Sequence, residues 1–99
     1  MGEYKLLSIK KSNKSDKKLM AKFINKKTKR TKVTHFGAEG MSDYTIHKDK
    51  ARRTRYRKRH QKDLRGDPTR AGYLSYYILW GNSTNKNTNI KSFKNRFKL

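Results

Sequence analysis

The sequence contains no cysteine. A disulfide framework, a catalytic thiolate and a cysteine-based zinc site are therefore excluded, and this fits a reducing compartment or a particle assembled inside a cell. Acidic residues are also scarce, since Asp and Glu together number only 7, which leaves few groups for general acid–base catalysis. No apolar run approaches the length of a membrane span. We therefore expect neither an enzyme nor a membrane-spanning protein.

Positive charge is what the sequence has in excess. The 28 Lys and Arg residues give a formal net charge of +21. Such a charge repels itself when the chain compacts, and it attracts polyanions with a strength that falls as salt is added. Only 31% of the residues are hydrophobic, so the core of one small domain is expected to be marginally stable. The composition predicts an acidic partner and says nothing about the fold.

The N-terminal third, residues 1–36, has the alternating pattern of β-strands. Apolar residues fall in three runs separated by polar stretches with turn composition, and the third run alternates and is rich in β-branched residues. The strands are predicted over 3–10, 19–24 and 31–36. The simplest arrangement is a three-stranded antiparallel meander. The following residues, 37–47, are predicted to form a loop.

Helices are predicted in the remainder of the chain. A basic helix is expected over 48–65 and an amphipathic helix over 67–80. Residues 82–99 form a polar loop and a short C-terminal helix, because apolar residues recur there at helical spacing. The overall prediction is a single α+β domain spanning 1–99, in which the amphipathic helix covers the sheet.

The bounds of the amphipathic helix are inferred from three residues. Asp67 is predicted to cap the free N–H groups, and Pro68 suits the first helical position. Gly81 follows the last apolar residue and occupies the position where glycine commonly ends a helix.

The basic helix contains the candidate binding site. Only a narrow seam, with Tyr56, His60 and Leu64 at i, i+4 and i+8, is left for packing against the rest of the domain. Guanidinium groups bind phosphate and carboxylate in a bidentate manner, so a cationic surface for such groups is favoured over a merely solvated helix. The predicted polyanion- or partner-binding residues are Arg52, Arg53, Arg55, Arg57, Lys58, Arg59, Lys62 and Arg65.

An aromatic cluster occupies the amphipathic helix, with Tyr73, Tyr76, Tyr77 and Trp80. These rings could form a stacking platform for nucleic-acid bases. The favoured interpretation is a core, because the sheet must be covered and this is the most apolar helix. Since Tyr and Trp are also enriched at interfaces, the candidate interface aromatics are Tyr56, Tyr73 and Tyr76.

The three histidines, His35, His47 and His60, match no zinc-ligand spacing. The glycines match neither a Walker A motif nor a dinucleotide-binding motif. We therefore predict no metal, no cofactor and no small-molecule substrate.

Several separated blocks of the sequence resemble those of a known group of viral proteins. The first block reads THFGAEGMSDYTIHKD, and the blocks lie at 34–49, 53–60, 67–69, 71–75, 78–80 and 93–99. In this order they are similar to small basic proteins of nucleocytoplasmic large DNA viruses, including algal chloroviruses and relatives of mimivirus. The resemblance implies a virion-associated protein of the capsid or inner shell, made in the infected host cell, and it implies no catalytic residues.

The leading functional prediction is a non-enzymatic structural virion protein. It would be a minor capsid component that binds acidic surfaces of capsid proteins through the cationic helix. The alternative is a sequence-independent DNA- or RNA-binding protein for genome condensation or packaging. Phosphate binding predicts a steep dependence on salt, whereas a capsid contact predicts selectivity for one packed protein surface.

Overall fold

A computed structural model describes residues 3–99 of the chain. Its first half is a sheet of three antiparallel strands in the order β1-β2-β3. The strands are β1 (Tyr4–Lys11), β2 (Lys17–Asn25) and β3 (Thr31–Ala38). Helices follow, so the predicted α+β fold with a meander and a short C-terminal helix is confirmed.

One face of the sheet forms the floor of the core. Leu6 pairs with Phe23, and both are almost fully buried. Leu7 is an extra residue that opposes no residue of β2, and it is 46% exposed. This bulge shifts the side-chain alternation of β1 by one residue, so that Ile9 returns to the buried face opposite Ala21.

A one-turn helix, α1 (Tyr44–His47), lies within residues 37–47, where a loop is predicted from the sequence. The buried carboxylate of Asp43 caps it by accepting from the Thr45 backbone N–H at 2.9 Å. Lys48 has a left-handed backbone with φ of 58° and ends this turn. The prediction missed α1 because a single capped turn has too few residues to show helical periodicity.

The basic helix, α2, spans Lys50–His60 and is continued by the 3₁₀ turn Gln61–Asp63. It is therefore shorter than the predicted 48–65. The left-handed Lys48 prevents an earlier start, and the side chain of Asp49 caps the first turn by accepting from the Ala51 and Arg52 N–H groups.

The predicted start of the amphipathic helix at Asp67 and Pro68 is wrong. The Asp67 carboxylate accepts from the Thr69 backbone N–H at 2.9 Å and from the Thr69 hydroxyl. This local turn satisfies the carboxylate before a helix begins. The helix α3 (Ala71–Leu74) starts later and continues as the π-helical turn Ser75–Leu79.

The last helix, α4 (Lys86–Phe97), packs against the π-helical turn. Gly81 lies where it was predicted, but it does not have the positive φ that usually accounts for glycine after a helix. A Cβ at Gly81 would lie 2.3 Å from the carbonyl oxygen of Tyr77 and 2.7 Å from Cγ of Asn89. Glycine is therefore needed here because two elements approach closely.

The predicted aromatic core is present between the sheet and α3. Leu74 and Ile78 are fully buried, and Trp80 is 8% exposed. Phe93 of α4 closes the core on the far side. No helix among residues 3–99 has both the length and the apolar character that crossing a membrane requires.

Candidate polyanion-binding site

Two arginines of α2 point into the protein. The guanidinium of Arg57 donates to the carbonyl oxygens of Trp80 at 2.7 Å and Tyr76 at 3.2 Å, and it lies 4.0 Å from the centre of the Tyr76 ring. Arg53 donates to the carbonyl oxygen of Gly81 and to the side-chain oxygen of Asn82, both at 2.6 Å.

These contacts satisfy carbonyl groups at the C-terminal end of the π-helical turn. Partial burial, followed by repulsion from Arg57, lowers the pKa of Arg53 from its ordinary value. Arg53 and Arg57 therefore fix α2 to the core, although both were predicted to be binding residues.

Three further arginines of α2, Arg52, Arg55 and Arg59, are exposed and line a cleft of about 600 Å³. We call it the central cleft; it lies between α2, α3, residues 41–43 and the neighbouring ends of β2 and β3. Lys17 and Lys18 extend the cationic lining onto the sheet.

The remaining predicted cations lie elsewhere on the surface. Lys62 and Arg65 line a second cavity of about 720 Å³, the lateral groove, together with Lys32 and Arg70. Lys58 is exposed on α2 and lines neither cavity. The structure thus divides seven of the eight predicted residues among a structural pair, a cleft and a groove, and it leaves Lys58 on the open surface of α2.

Most of these cations have no acidic partner. Within residues 3–99, carboxylates lie within 4.0 Å of only two basic side chains, in the pairs Lys18–Asp43 and His60–Asp63. No arginine of the described chain is paired in this way. The exposed guanidinium groups of α2 therefore form no ion pair with a carboxylate among residues 3–99.

Aromatic rings form the inner wall of the central cleft. Tyr56 stacks on Trp80 with ring centres 4.1 Å apart and an angle of 5° between planes. His60 stacks on the Tyr56 ring at 4.2 Å, and its side chain is 41% exposed. Burial raises the pKa of Tyr56 to about 12, so its hydroxyl remains protonated at neutral pH.

The other two candidate interface aromatics lie in the core. Tyr73 is 9% exposed and Tyr76 is 8% exposed. The Tyr73 ring packs edge-on against Phe97, and the Tyr76 ring is covered by the guanidinium of Arg57. These two tyrosines present little surface to a partner, whereas Tyr56 lines the central cleft.

The cations that come from outside the predicted helix 48–65 were not predicted. Lys32 lies on the inward face of β3 with Phe36, and its ammonium donates to the Thr69 hydroxyl at 2.8 Å. A lysine at an inward position of a strand was a usable signal, because lysine is rarely buried without a partner. Lys17 and Lys18 gave no such signal, since they begin a strand in a lysine-rich stretch.

The histidines and carboxylates do not converge. No group of three or more His, Cys, Asp or Glu side chains that could hold a metal ion is found within residues 3–99. His35 instead shares a hydrogen bond of 2.7 Å with the Ser12 hydroxyl, and His47 packs 5.1 Å from the Trp80 ring centre.

The fold and the site define a small α+β domain with a cationic surface built around one basic helix. A family model matches residues 7–60, more than half of the chain, and the chain belongs to that family, the family of unknown function DUF5754. The match runs from β1 to the end of α2. Neither the curated proteins nor the solved structures contain a match to this chain. Because the family description gives no function, the resemblance to viral proteins stays a prediction.

Proposed function

We propose that this protein is a non-enzymatic, sequence-independent nucleic-acid-binding protein of a large DNA virus particle. The observation that supports it is the set of exposed arginines on α2, Arg52, Arg55 and Arg59, which have no carboxylate partner in the described chain. Phosphates would supply the missing negative charge and accept paired hydrogen bonds from each guanidinium. The virion setting rests on the sequence resemblance alone.

The character of the cationic surface favours nucleic acid over a capsid surface. The core of a protein–protein interface is usually rich in apolar and aromatic groups and depleted in lysine. The exposed side of α2 offers Lys50, Lys58 and arginines, with no large apolar side chain. Lysines are also exposed on β1 and on α4, so positive charge is not confined to one docking patch.

A minor capsid component is the second candidate, and one observation favours it. Met41 is 65% exposed and Ile46 is 61% exposed, and both lie in the segment just before α2. Exposed apolar side chains next to a cationic helix would suit contact with an acidic protein surface that has an apolar centre.

The first test measures binding of the full chain to mixed-sequence DNA over a salt series. Nucleic-acid binding is expected to be insensitive to sequence, and log K should fall linearly with log salt, by about 0.9 for each duplex phosphate neutralised. Absence of binding at low salt would refute the proposal.

The second test separates the two partners in gently disrupted particles of a large DNA virus that carries this chain. If the protein binds the genome, nuclease treatment releases it from the particle. If it remains with empty shells at moderate salt after nuclease, the capsid candidate is correct and the nucleic-acid proposal is wrong.

A further inference from the structure

The central cleft and the lateral groove adjoin each other. Both are lined by Asp63, Ala71 and Gly72, which lie where the 3₁₀ turn approaches the start of α3. Gly72 packs closely against this turn, since a Cβ there would lie 3.3 Å from the backbone oxygen of Asp63. The two cavities therefore meet at these three residues, and we call the adjoining pair the track.

Cationic side chains line the track at both ends. Arg52, Arg55 and Arg59 lie in the central cleft, and Lys62, Arg65 and Arg70 lie in the lateral groove. All six are exposed, and none has a carboxylate within 4.0 Å among residues 3–99. The track thus carries exposed and unpaired positive charge in both of its cavities.

The carboxylates that border the track are already engaged. Asp43 is 2% exposed and pairs with Lys18 at 2.7 Å. Asp63 lies at the junction and pairs with the Nδ1 atom of His60 at 2.8 Å. Asp63 is the one exposed acidic side chain in the lining of the track.

We infer that the track binds a single strand of nucleic acid, an inference that rests on the nucleic-acid binding proposed above. A concave path suits a flexible strand whose phosphates contact the cations one after another. A duplex is a stiff convex rod, and it could touch only the rim of such a path. A duplex would also keep its bases stacked on one another.

The aromatic wall supports a single strand in a second way. Tyr56 covers one face of the His60 imidazole, while the His60 side chain remains 41% exposed at the edge of the central cleft. An unpaired base can stack on such a ring because every base has a π-face, whatever its sequence. The arginines would then hold the phosphates while the ring stack receives one base.

The test compares two double variants of the full chain that lose the same charge. Arg59→Gln with Arg65→Gln removes one cation from each part of the track. Lys91→Gln with Lys94→Gln removes two exposed cations of α4 that line neither cavity. None of these four side chains makes a hydrogen bond in the fold, and circular dichroism would check that both variants are folded. Affinities are measured for a labelled mixed-sequence single strand and for a duplex with the same number of phosphates.

The track variant is expected to lose at least about tenfold affinity for the single strand, and its salt slope should fall by about 1.4, from two phosphates at ~0.7 each. The α4 variant should lose no more than about threefold, and for the duplex the two variants should weaken binding equally. A third variant, Asp63→Asn, should tighten single-strand binding because it removes the negative charge at the junction.

Three outcomes would overturn the track while leaving nucleic-acid binding intact. They are equal losses for the two double variants on the single strand, tighter binding of the duplex than of the single strand, and no gain from Asp63→Asn. Absence of binding of the unmodified chain to either nucleic acid would instead overturn the proposed function itself.

Discussion

Replacing Arg57 by alanine tests whether the arginines of α2 have separate roles. The substitution removes hydrogen bonds of 2.7 Å and 3.2 Å to two carbonyl groups and the contact with the Tyr76 ring. A hydrogen bond from a charged donor contributes about 1.5–3 kcal/mol when well formed. Because Arg57 is partly exposed and one of its bonds is long, we count about 2 kcal/mol for both bonds together. The ring contact adds about 0.5–1 kcal/mol.

The expected loss of about 2.5–3 kcal/mol is a large part of the free energy of unfolding of a small domain, which begins near 5 kcal/mol. For a chain of this length, the melting temperature should fall by about 10 °C or more. Thermal and urea unfolding of the full chain, followed by circular dichroism at one fixed salt concentration, would measure it.

Arg55→Ala provides the matched control, because Arg55 lies on the same helix, carries the same charge and makes no hydrogen bond within the fold. Its stability should change by no more than about 0.5 kcal/mol, while its affinity for nucleic acid should fall. Equal loss of stability in the two variants would refute the division into structural and binding arginines, as would an Arg57→Ala protein that melts like the unmodified chain.

Three further predictions concern the core and the turns. Trp80→Ala should lower the free energy of unfolding by about 3–5 kcal/mol in urea titration, because the ring is almost fully buried; an unchanged melting temperature with lost binding would place the ring at an interface. Gly81→Ala should lower the melting temperature strongly, since its Cβ would meet the Tyr77 carbonyl and Asn89. A Cβ at Gly40 would contact no neighbouring atom, so Gly40→Ala should lower the melting temperature less, through the backbone strain of a positive φ alone. Partial burial acts to raise the pKa of Asp67, but the hydrogen bonds from Thr69 outweigh it and lower that pKa. The stability that the charged carboxylate gives the folded state is therefore present above about pH 4 and lost as the pH falls below it. The urea midpoint should decline from pH 5 to pH 2, and it should decline less steeply in Asp67→Asn than in the unmodified chain.

The sheet and the aromatic core were predictable because their patterns are periodic. Ala21 and Phe23 alternate with exposed or half-buried residues along β2, and both are fully buried. Apolar and aromatic residues recur along the amphipathic helix, and Tyr73, Leu74, Ile78 and Trp80 are buried. Periodic burial of this kind is visible in the sequence before any contact is known.

The turns were not predictable for a different reason. Asp67 followed by proline is a common helix start, but the carboxylate is satisfied by Thr69 instead. The π-helical turn has hydrogen-bond partners distant in sequence, because Arg57 donates to the Tyr76 carbonyl and the Asn89 amide donates to the Ile78 carbonyl. Local preference cannot reveal such partners.

The sequence predicted that cations of the basic helix form the candidate site, but it did not predict where their side chains lie in the fold. The sequence shows many cations on α2, but cations cover its circumference, so periodicity cannot tell Arg57, which faces the core, from Arg55, which faces the cleft. Lys32 and Arg70 reach the lateral groove from other parts of the chain, and only the fold brings them near α2.

The anchoring of α2 by Arg53 and Arg57 has a consequence for how charge is displayed. An isolated helix of this length is marginal in water, and one so densely charged would tend to come apart. Here α2 is held to the core by Arg53 and Arg57, which lie within the helix, so it is not a loose basic arm that must order itself on each encounter. The backbone positions of the cleft arginines keep fixed spacings before any partner arrives, and the backbone of α2 loses little conformational entropy when the partner binds. Any polyanion that recognises this folded arrangement must in turn raise the melting temperature of the whole domain.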